Sequence, residues 1–241
     1  MINLPNLDYF ILGKGPVILI LHGWGQNKEM MLPIANKLKK NYTCVVIDMP
    51  GFGNSEYNQE STLQEYCKTI HDFLLFKLHL TPKYIIGHSF GGKVGLNYYL
   101  TYKRIKGLVF IASPILKPKR SLKFYYNLFV YKIKKLLAIP NNMGSEDYKN
   151  AKELKPLLVN VVNTHYDKVL KQIYIPVLLL YSKTDEKVDF SKASKLNRKL
   201  KKSKLKVIKG DHFAYLSNDN IVSMEINNFI KENDISHEYC L

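Results

Sequence analysis

Cysteine is scarce in this sequence, and its placement excludes two ways of stabilising a small domain. The three cysteines, Cys44, Cys67 and Cys240, are an odd number and no two of them form a C-x-x-C pair. A disulfide framework and a structural zinc site both need paired or clustered cysteines. With 241 residues, 46% of them hydrophobic, the chain is long enough to be stabilised by one large core instead. We therefore expect one large domain without a metal site.

Long apolar runs are also lacking. No uninterrupted apolar stretch approaches the roughly 18 residues that a membrane-spanning helix needs. The first residues do not show a charged region followed by an apolar stretch and a cleavage site, which is the pattern of a secretory leader. We expect a cytoplasmic protein.

Acidic residues are rare in the second part of the chain. Residues 1–88 hold 8 lysines against 7 acidic residues, whereas residues 89–241 hold 28 basic residues against 13 acidic ones. A lysine-rich surface with no specific partner is one explanation. The other is attraction to an acidic partner, either an acidic carrier protein or an anionic membrane surface. Nucleic acid is disfavoured as a partner because no recognition motif accompanies the charge.

The most informative stretch of the chain is Gly87-His-Ser-Phe-Gly-Gly92. An apolar run at residues 84–86 predicts a buried strand before it, and a helical pattern opens at residue 93. A serine on so tight a strand-to-helix turn needs neighbours without side chains two positions before and after it, and Gly87 and Gly91 meet that need. The helix N-terminus then directs free N–H groups toward the serine oxygen. This arrangement predicts that Ser89 is a nucleophile.

Strands and helices alternate around this turn. Further strands are predicted by apolar runs at residues 7–12, 17–21, 44–47, 106–112, 176–181 and 205–208. Loops follow two of them, His22-Gly-Trp24 and Asp48-Met-Pro-Gly-Phe-Gly-Asn-Ser55. Together with the serine turn, these loops resemble the α/β-hydrolase superfamily, in particular its small cytosolic esterase-like members. The resemblance covers nearly the whole chain and implies an α/β-hydrolase fold, a mostly parallel sheet flanked by helices.

A serine nucleophile needs a base, because serine is weakly nucleophilic at neutral pH. Of the seven histidines, His212 follows a predicted strand and precedes a helix, which places it at the same sheet edge as Ser89. His22 lies in a loop that we expect it to brace. His88 adjoins Ser89 but is expected to point elsewhere and to have a structural role. We predict that His212 is the base.

A carboxylate must then hold the base in the correct tautomer. Asp185 lies just beyond a predicted strand, whereas Glu186 runs into the next helix. Asp211 is too close to His212 in sequence to reach its imidazole. We predict that Asp185 is the acid, with Glu186 as the alternative. The order Ser, acid, His along the chain is the one expected of this fold.

Two backbone N–H groups are the predicted oxyanion hole. Phe90 follows the nucleophile directly, and Trp24 lies in the loop after the strand at residues 17–21. The indole of Trp24 is expected to line the acyl pocket, or else to belong to the core. Acyl transfer by these groups needs no cofactor and no metal, and we expect neither.

Residues 113–173 do not fit the alternation of strands and helices. We predict that they form a helical cap, inserted into a hydrolase core made of residues 1–112 and 174–241. A wide apolar face on the predicted helix at residues 120–137 must be covered, and packing on the domain is the simplest way. The alternative is that this face roofs an acyl pocket or docks on a membrane surface. The side chains concerned are Phe124, Tyr125, Leu128 and Phe129.

These features predict a serine hydrolase that cleaves a small carboxylic ester or thioester through an acyl-enzyme on Ser89. Pocket shape, which the fold does not determine, decides the substrate. Two alternatives stay open. A carbon–carbon bond hydrolase or an iminopeptidase would use the same triad, and a non-catalytic ligand-binding protein would share the fold without the chemistry.

Overall fold

A seven-stranded sheet forms the centre of the protein. The computed structural model describes residues 6–118 and 145–238. The strands are β1 (Tyr9–Leu12), β2 (Val17–Leu21), β3 (Thr43–Ile47), β4 (Tyr84–His88), β5 (Gly107–Ile111), β6 (Val177–Ser182) and β7 (Ser203–Ile208). They follow the order β1-β3-β2-β4-β5-β6-β7, and within the described residues every neighbouring pair is parallel except β1 with β3. The predicted mostly parallel sheet is therefore confirmed, with an antiparallel strand at one edge.

Helices flank the sheet on both faces. They are α1 (Leu32–Leu38), α2 (Leu63–Asp72), α3 (Phe90–Tyr102), α4 (Glu146–Asn150), α5 (Lys155–Asn163), α6 (Phe190–Lys199), α7 (Ala214–Ser217) and α8 (Asp219–Glu238). Because side chains alternate along a strand, Leu19 packs in the apolar layer formed with α2 and α3, whereas Ile18 packs in the layer formed with α1 and α8. Across the residues described, no helix combines the length and hydropathy required to cross a membrane.

Prolines and capping residues determine where several helices begin. The sequence pattern predicts a helix over residues 26–40, but α1 begins at Leu32 after a 3-10 turn, Lys28–Met31. Pro33 is the second residue of α1, and a proline lacks the N–H that would continue a helix from upstream. The start of α2 is fixed by a capping box in which Thr62 and Glu65 satisfy each other's backbone N–H groups.

The sequence pattern also predicts a helix over residues 61–79, and the regular α-helix in this region is shorter. It consists of α2 followed by a π-helical segment, Phe73–Lys77, in which Phe73 and Leu74 remain buried. One face of α2 covers the sheet through Leu63, Tyr66 and Ile70, as the apolar spacing predicts. This face also supports the turn that holds Ser89, because the rings of Tyr66 and Phe90 pack with their centroids 5.7 Å apart.

Helices α4 and α5 lie between β5 and β6 in the chain, inside the region predicted to be a cap. Leu157 and Val161 of α5 are buried in the same apolar layer as α2 and α3. The Asn160 side chain accepts a hydrogen bond from the Leu63 N–H at 3.1 Å, which ties α5 to the start of α2. The extent of the cap, residues 113–173, stays a prediction, and the helix predicted at residues 120–137 lies outside the described residues.

Candidate active site

The strand-to-helix turn between β4 and α3 presents Ser89 in a strained backbone conformation. Ser89 has φ 48° and ψ −110°, a region that L-residues rarely occupy. A Cβ added to Gly87 would lie 2.4 Å from backbone atoms of Gly91, and one added to Gly91 would lie 2.5 Å from the Leu21 carbonyl oxygen. The Ser89 N–H donates to the Ile111 carbonyl at 2.8 Å, which anchors the turn on β5. The hydroxyl is thus held at the carboxyl edge of the sheet, on a partly exposed residue.

His212 and Asp185 come together at the same edge. Asp185 lies in the loop after β6 and His212 in the loop after β7, and Nδ1 of His212 is 2.8 Å from Oδ2 of Asp185. The other carboxylate oxygen, Oδ1, accepts the N–H groups of Lys187 at 2.8 Å and Val188 at 3.0 Å. The carboxylate is therefore fixed from both sides.

The environment of Asp185 keeps its carboxylate ionised. Burial acts to raise the pKa of Asp185, but the hydrogen bonds from His212, Val188 and Lys187 outweigh it and lower the pKa below the usual value of 3.8. An ionised carboxylate accepts hydrogen bonds and donates none, so Nδ1 of His212 carries the proton in this pair. With the hydrogen bond to Asp185 made through Nδ1–H, Nε2 is the ring nitrogen that is left for the role of base.

The loop after β2 carries Trp24, and His22 connects this loop to the one after β3. His22 Nδ1 lies 2.8 Å from the Gly23 carbonyl, and His22 Nε2 accepts the N–H of Met49 at 3.0 Å. Burial lowers the pKa of His22 to about 4, so the ring is neutral and Nδ1 is its donor. The expectation that His22 braces this loop agrees with these contacts.

The two N–H groups predicted to form the oxyanion hole lie in rigid surroundings. Phe90 is the first residue of α3, so its N–H has no acceptor within the helix. The indole of Trp24 packs edge-on against Phe52 at 5.0 Å and against Phe90 at 5.2 Å between ring centroids. This aromatic cluster holds the two backbone segments against each other. The role of both N–H groups as an oxyanion hole stays a prediction.

The loop after β3 is fixed by an ion cluster around the buried side chains of Lys28 and Asp48. The ammonium of Lys28 lies 2.7 Å from Asp8 and 3.1 Å from both Glu29 and Asp48. Asp48 also accepts the backbone N–H groups of Lys28 at 2.6 Å and of Asn54 at 2.9 Å. These internal bonds occupy polar groups of the loop, which indicates a structural role for it.

A polar connection that the sequence did not indicate runs through His88 and Gln26. His88 Nε2 lies 3.1 Å from the His212 carbonyl, and His88 Nδ1 lies 3.1 Å from Gln26 Oε1. Gln26 Oε1 also accepts the Gly23 N–H at 2.8 Å. Burial lowers the pKa of His88 to about 3, so the ring is neutral. His88 therefore contacts both the histidine loop and the loop that carries Trp24.

The acyl-pocket residues and the alternative acid were also predicted from the sequence. The side chains predicted to roof an acyl pocket, Phe124, Tyr125, Leu128 and Phe129, lie outside the described residues. Glu186, the alternative acid, is exposed, and the contact with His212 is made by Asp185. In the part of the chain that the structure describes, no group of three or more His, Cys, Asp or Glu side chains is arranged to hold a metal ion.

Comparison with known proteins identifies the family. Residues 16–138, about half of the chain, match the sequence profile of the alpha/beta hydrolase fold. The chain belongs to this family. The seven-stranded sheet of this α/β-hydrolase and the turn at Ser89 agree with that assignment, and the resemblance to the superfamily is confirmed.

Relatives of this α/β-hydrolase include two kinds of ester-cleaving enzyme. It is 35% identical over 150 residues to pimeloyl-[acyl-carrier protein] methyl ester esterase of Aeromonas salmonicida, covering 56% of this chain and 57% of the relative. It is 25% identical over 233 residues to monoacylglycerol lipase ABHD6 of Bos taurus, covering 81% of this chain and 69% of the relative. A further methyl ester esterase, from Vibrio vulnificus, is matched over 41% of its length. The chain thus spans about half the length of the methyl ester esterases first matched.

Solved structures share the fold of this α/β-hydrolase over nearly the whole chain. A putative lipase of Acinetobacter baumannii superposes with a TM-score of 0.77 at 20% identity, covering 98% of this chain and 91% of the other. A thermophilic esterase of Thermogutta terrifontis superposes with a TM-score of 0.75 at 17% identity, covering 95% and 94%.

Proposed function

We propose that this protein is a serine hydrolase that cleaves carboxylic esters or thioesters through an acyl-enzyme on Ser89. The observation that carries the proposal is the pairing of Asp185 with His212 at the sheet edge where the strained turn presents Ser89. A nucleophile, a base and a group that orients the base are the parts that acyl transfer by serine requires. The relatives named as esterases and a lipase support the same reaction class.

In the proposed first half-reaction, the Ser89 hydroxyl attacks the substrate carbonyl carbon. His212 takes the hydroxyl proton on Nε2, and Asp185 stabilises the imidazolium through Nδ1–H. The carbonyl oxygen becomes an oxyanion, which would accept hydrogen bonds from the N–H groups of Trp24 and Phe90. The tetrahedral intermediate collapses, the bond to the leaving group breaks, and His212 returns its proton to that group.

The second half-reaction repeats these steps with water as the nucleophile. His212 removes a proton from water, and the resulting hydroxide attacks the acyl carbon on Ser89. Collapse of the second intermediate breaks the bond to the Ser89 oxygen, which regains the proton from His212. The carboxylic acid then leaves. Each role in this cycle is performed by the chain's own residues.

The relatives suggest how the acyl group could be presented. Methyl ester esterases of this family act on an ester carried by an acyl-carrier protein, as their name states. A formal net charge of +16 would favour the approach of an acidic carrier. We extend the proposal to carrier-bound esters, for which kcat/KM should fall with increasing salt more steeply than for a free ester.

The test of the reaction class is hydrolysis of p-nitrophenyl esters of graded acyl-chain length. The Ser89→Ala protein, with its folding checked by circular dichroism, serves as the matched control. The proposal predicts turnover of at least one ester by the wild-type protein and none above background by the variant. Equal turnover by both proteins would assign the reaction to another group, and no turnover of any ester would favour a binding protein.

A further inference from the structure

A cavity of about 330 Å³ lies beside the loop after β6, which carries Asp185. Its walls include Lys93 of α3, Leu116 in the segment after β5, and Lys187 and Val188 in the loop after β6. This volume is in the range of small-molecule sites. The cavity is separate from the aromatic cluster around Trp24, which lies on the side of the predicted oxyanion hole.

The cavity and the triad share their supporting segments. Lys93 lies four residues after Ser89, one turn further along α3. The backbone N–H groups of Lys187 and Val188, which line the cavity, donate to Oδ1 of Asp185 at 2.8 and 3.0 Å. A molecule in this cavity would therefore contact the two segments that carry Ser89 and Asp185.

The lining of the cavity is apolar with an excess of positive charge. Leu116, Val162 and Val188 supply apolar surface. Among the described residues, three lysines line the cavity, Lys93, Lys187 and Lys192, together with His165 and one carboxylate, that of Asp189. Asp189 accepts the N–H and the hydroxyl of Ser191 at 2.8 and 2.7 Å, so it caps the start of α6.

None of the three lysines forms an ion pair with Asp or Glu among the described residues. Lys93 is buried, with 4% of its surface exposed, and its ammonium donates to the carbonyls of Val161 at 2.7 Å and Thr164 at 3.0 Å. An ammonium has three donors, so one donor of Lys93 is not used by these carbonyls. Lys192 donates to the Lys117 carbonyl at 3.0 Å and likewise keeps donors.

Positive charges attract anions more strongly in a partly buried site than in open water, and in the described lining three lysines outnumber one carboxylate. We propose that this cavity binds an anionic oxygen group, a carboxylate or a phosphate, borne on the apolar part of the substrate. Lys192 contacts the anion, and so does Lys187 once its ammonium leaves the face of the Phe213 ring, from whose centroid it lies 5.3 Å. Lys93 lies at the buried end, and Leu116, Val162 and Val188 pack against the chain. The link to substrate choice rests on the proposed serine hydrolase function, whereas the binding site does not.

Direct binding tests the cavity without relying on catalysis. The Ser89→Ala protein is titrated by calorimetry with octanoate, with octyl phosphate and with uncharged octanol. We expect one of the two anions to bind at least about tenfold more tightly than octanol, because hydrogen bonds to charged groups can supply that ratio. The anion that binds more tightly shows whether the cavity prefers a carboxylate or a phosphate. Octanol binding as tightly as both anions would overturn the proposal.

Two double variants of equal charge locate the site. Lys187→Gln with Lys192→Gln removes two lysines that line the cavity, and Lys195→Gln with Lys202→Gln removes two exposed lysines that do not. In the Ser89→Ala background, we expect the first pair to weaken anion binding about tenfold and the second pair to leave it unchanged. Equal losses from both pairs would assign the effect to net charge and refute the site.

Kinetics then connect the cavity to substrate choice. A p-nitrophenyl ester whose acyl chain ends in a carboxylate is compared with the neutral ester of equal length, and the ratio of their kcat/KM values should fall in the Lys187→Gln, Lys192→Gln protein. An unchanged ratio would exclude a role in substrate choice. If the Ser89→Ala protein hydrolysed both esters like the wild type, the proposed serine mechanism would be wrong. The calorimetry would still show whether the cavity binds an anion.

Discussion

The Asp185 carboxylate contacts His212 through one oxygen, at 2.8 Å, and two backbone N–H groups through the other. This arrangement leaves the side chain a single orientation. It also separates Asp185 from its neighbour Glu186, which is exposed. The candidate acid is therefore distinguished from the alternative by contacts that two variants can probe.

Replacing Asp185 by Asn should remove the negative charge while keeping the size of the side chain. The amide cannot hold His212 in the reactive tautomer as the carboxylate does, so kcat should fall by about 10⁴. Glu186→Gln, the matched control, should change kcat by less than about threefold. Steady-state kinetics on one p-nitrophenyl ester measures both. A larger loss in Glu186→Gln than in Asp185→Asn would show that the acid has been misassigned.

The turn at Ser89 should tolerate no side chain at Gly87. A Cβ there would lie 2.4 Å from the carbonyl and amide atoms of Gly91 and Gly92, which belong to the backbone and cannot turn away. We expect Gly87→Ala to lower the free energy of unfolding by about 3 kcal/mol, at the upper end of overpacking costs. Denaturant unfolding measures the change.

Gly95 on α3 provides the control for this substitution. A Cβ at Gly95 would meet a side-chain methyl group, Cγ2 of Ile85, at 2.8 Å. The gain in helix propensity from Gly to Ala, about 1 kcal/mol, offsets part of that contact. We expect Gly95→Ala to cost clearly less than Gly87→Ala. Similar losses in the two variants would contradict the close packing of the turn.

Lys93 should make stability depend on pH in the alkaline range. Burial lowers the pKa of Lys93 to about 8, from 10.5 in its ordinary environment. Below pH 8 the side chain is charged in both the folded and the unfolded state. Between pH 8 and 10.5 the unfolded state binds more protons, so the free energy of unfolding rises with pH, by about 3 kcal/mol in all.

Comparison of two variants isolates this contribution. Lys93→Met should lack the rise between pH 8 and 10.5, whereas Lys195→Met, at an exposed position on α6, should keep it. Urea unfolding at several pH values measures the free energy of unfolding of each protein. The titration of the tyrosines is common to all of them and cancels when the curves are subtracted. A wild-type curve that parallels that of Lys93→Met would show that Lys93 has no unusual pKa.

Local patterns were enough to predict much of the fold and the main candidate residues. The strands of the sheet are short apolar runs that end in loops, and Ser89, Asp185 and His212 each lie just beyond such a run. Because parallel strands deliver their carboxyl ends to one edge, these three positions could be brought together from sequence alone. The contact between Asp185 and His212 follows from that topology.

Contacts between distant residues were not predictable in the same way. His88 lies 62 residues from Gln26 and 124 from His212 along the chain, and both contacts depend on side-chain directions that no local pattern records. The sequence shows only that a helical pattern opens at Lys93, and it does not indicate that the ammonium is buried against the carbonyls of Val161 and Thr164. These polar contacts require the finished packing of the core and the helices after β5.

The mass of the protein during turnover tests the proposed acyl-enzyme on Ser89 most directly. The wild-type protein is mixed rapidly with a p-nitrophenyl ester, quenched in acid and digested, and the peptides are weighed by mass spectrometry. The acyl-enzyme mechanism predicts one added acyl group on the peptide that contains Ser89, and none in the Ser89→Ala protein. An acyl group on another residue, or continued turnover by Ser89→Ala at the wild-type rate, would contradict it.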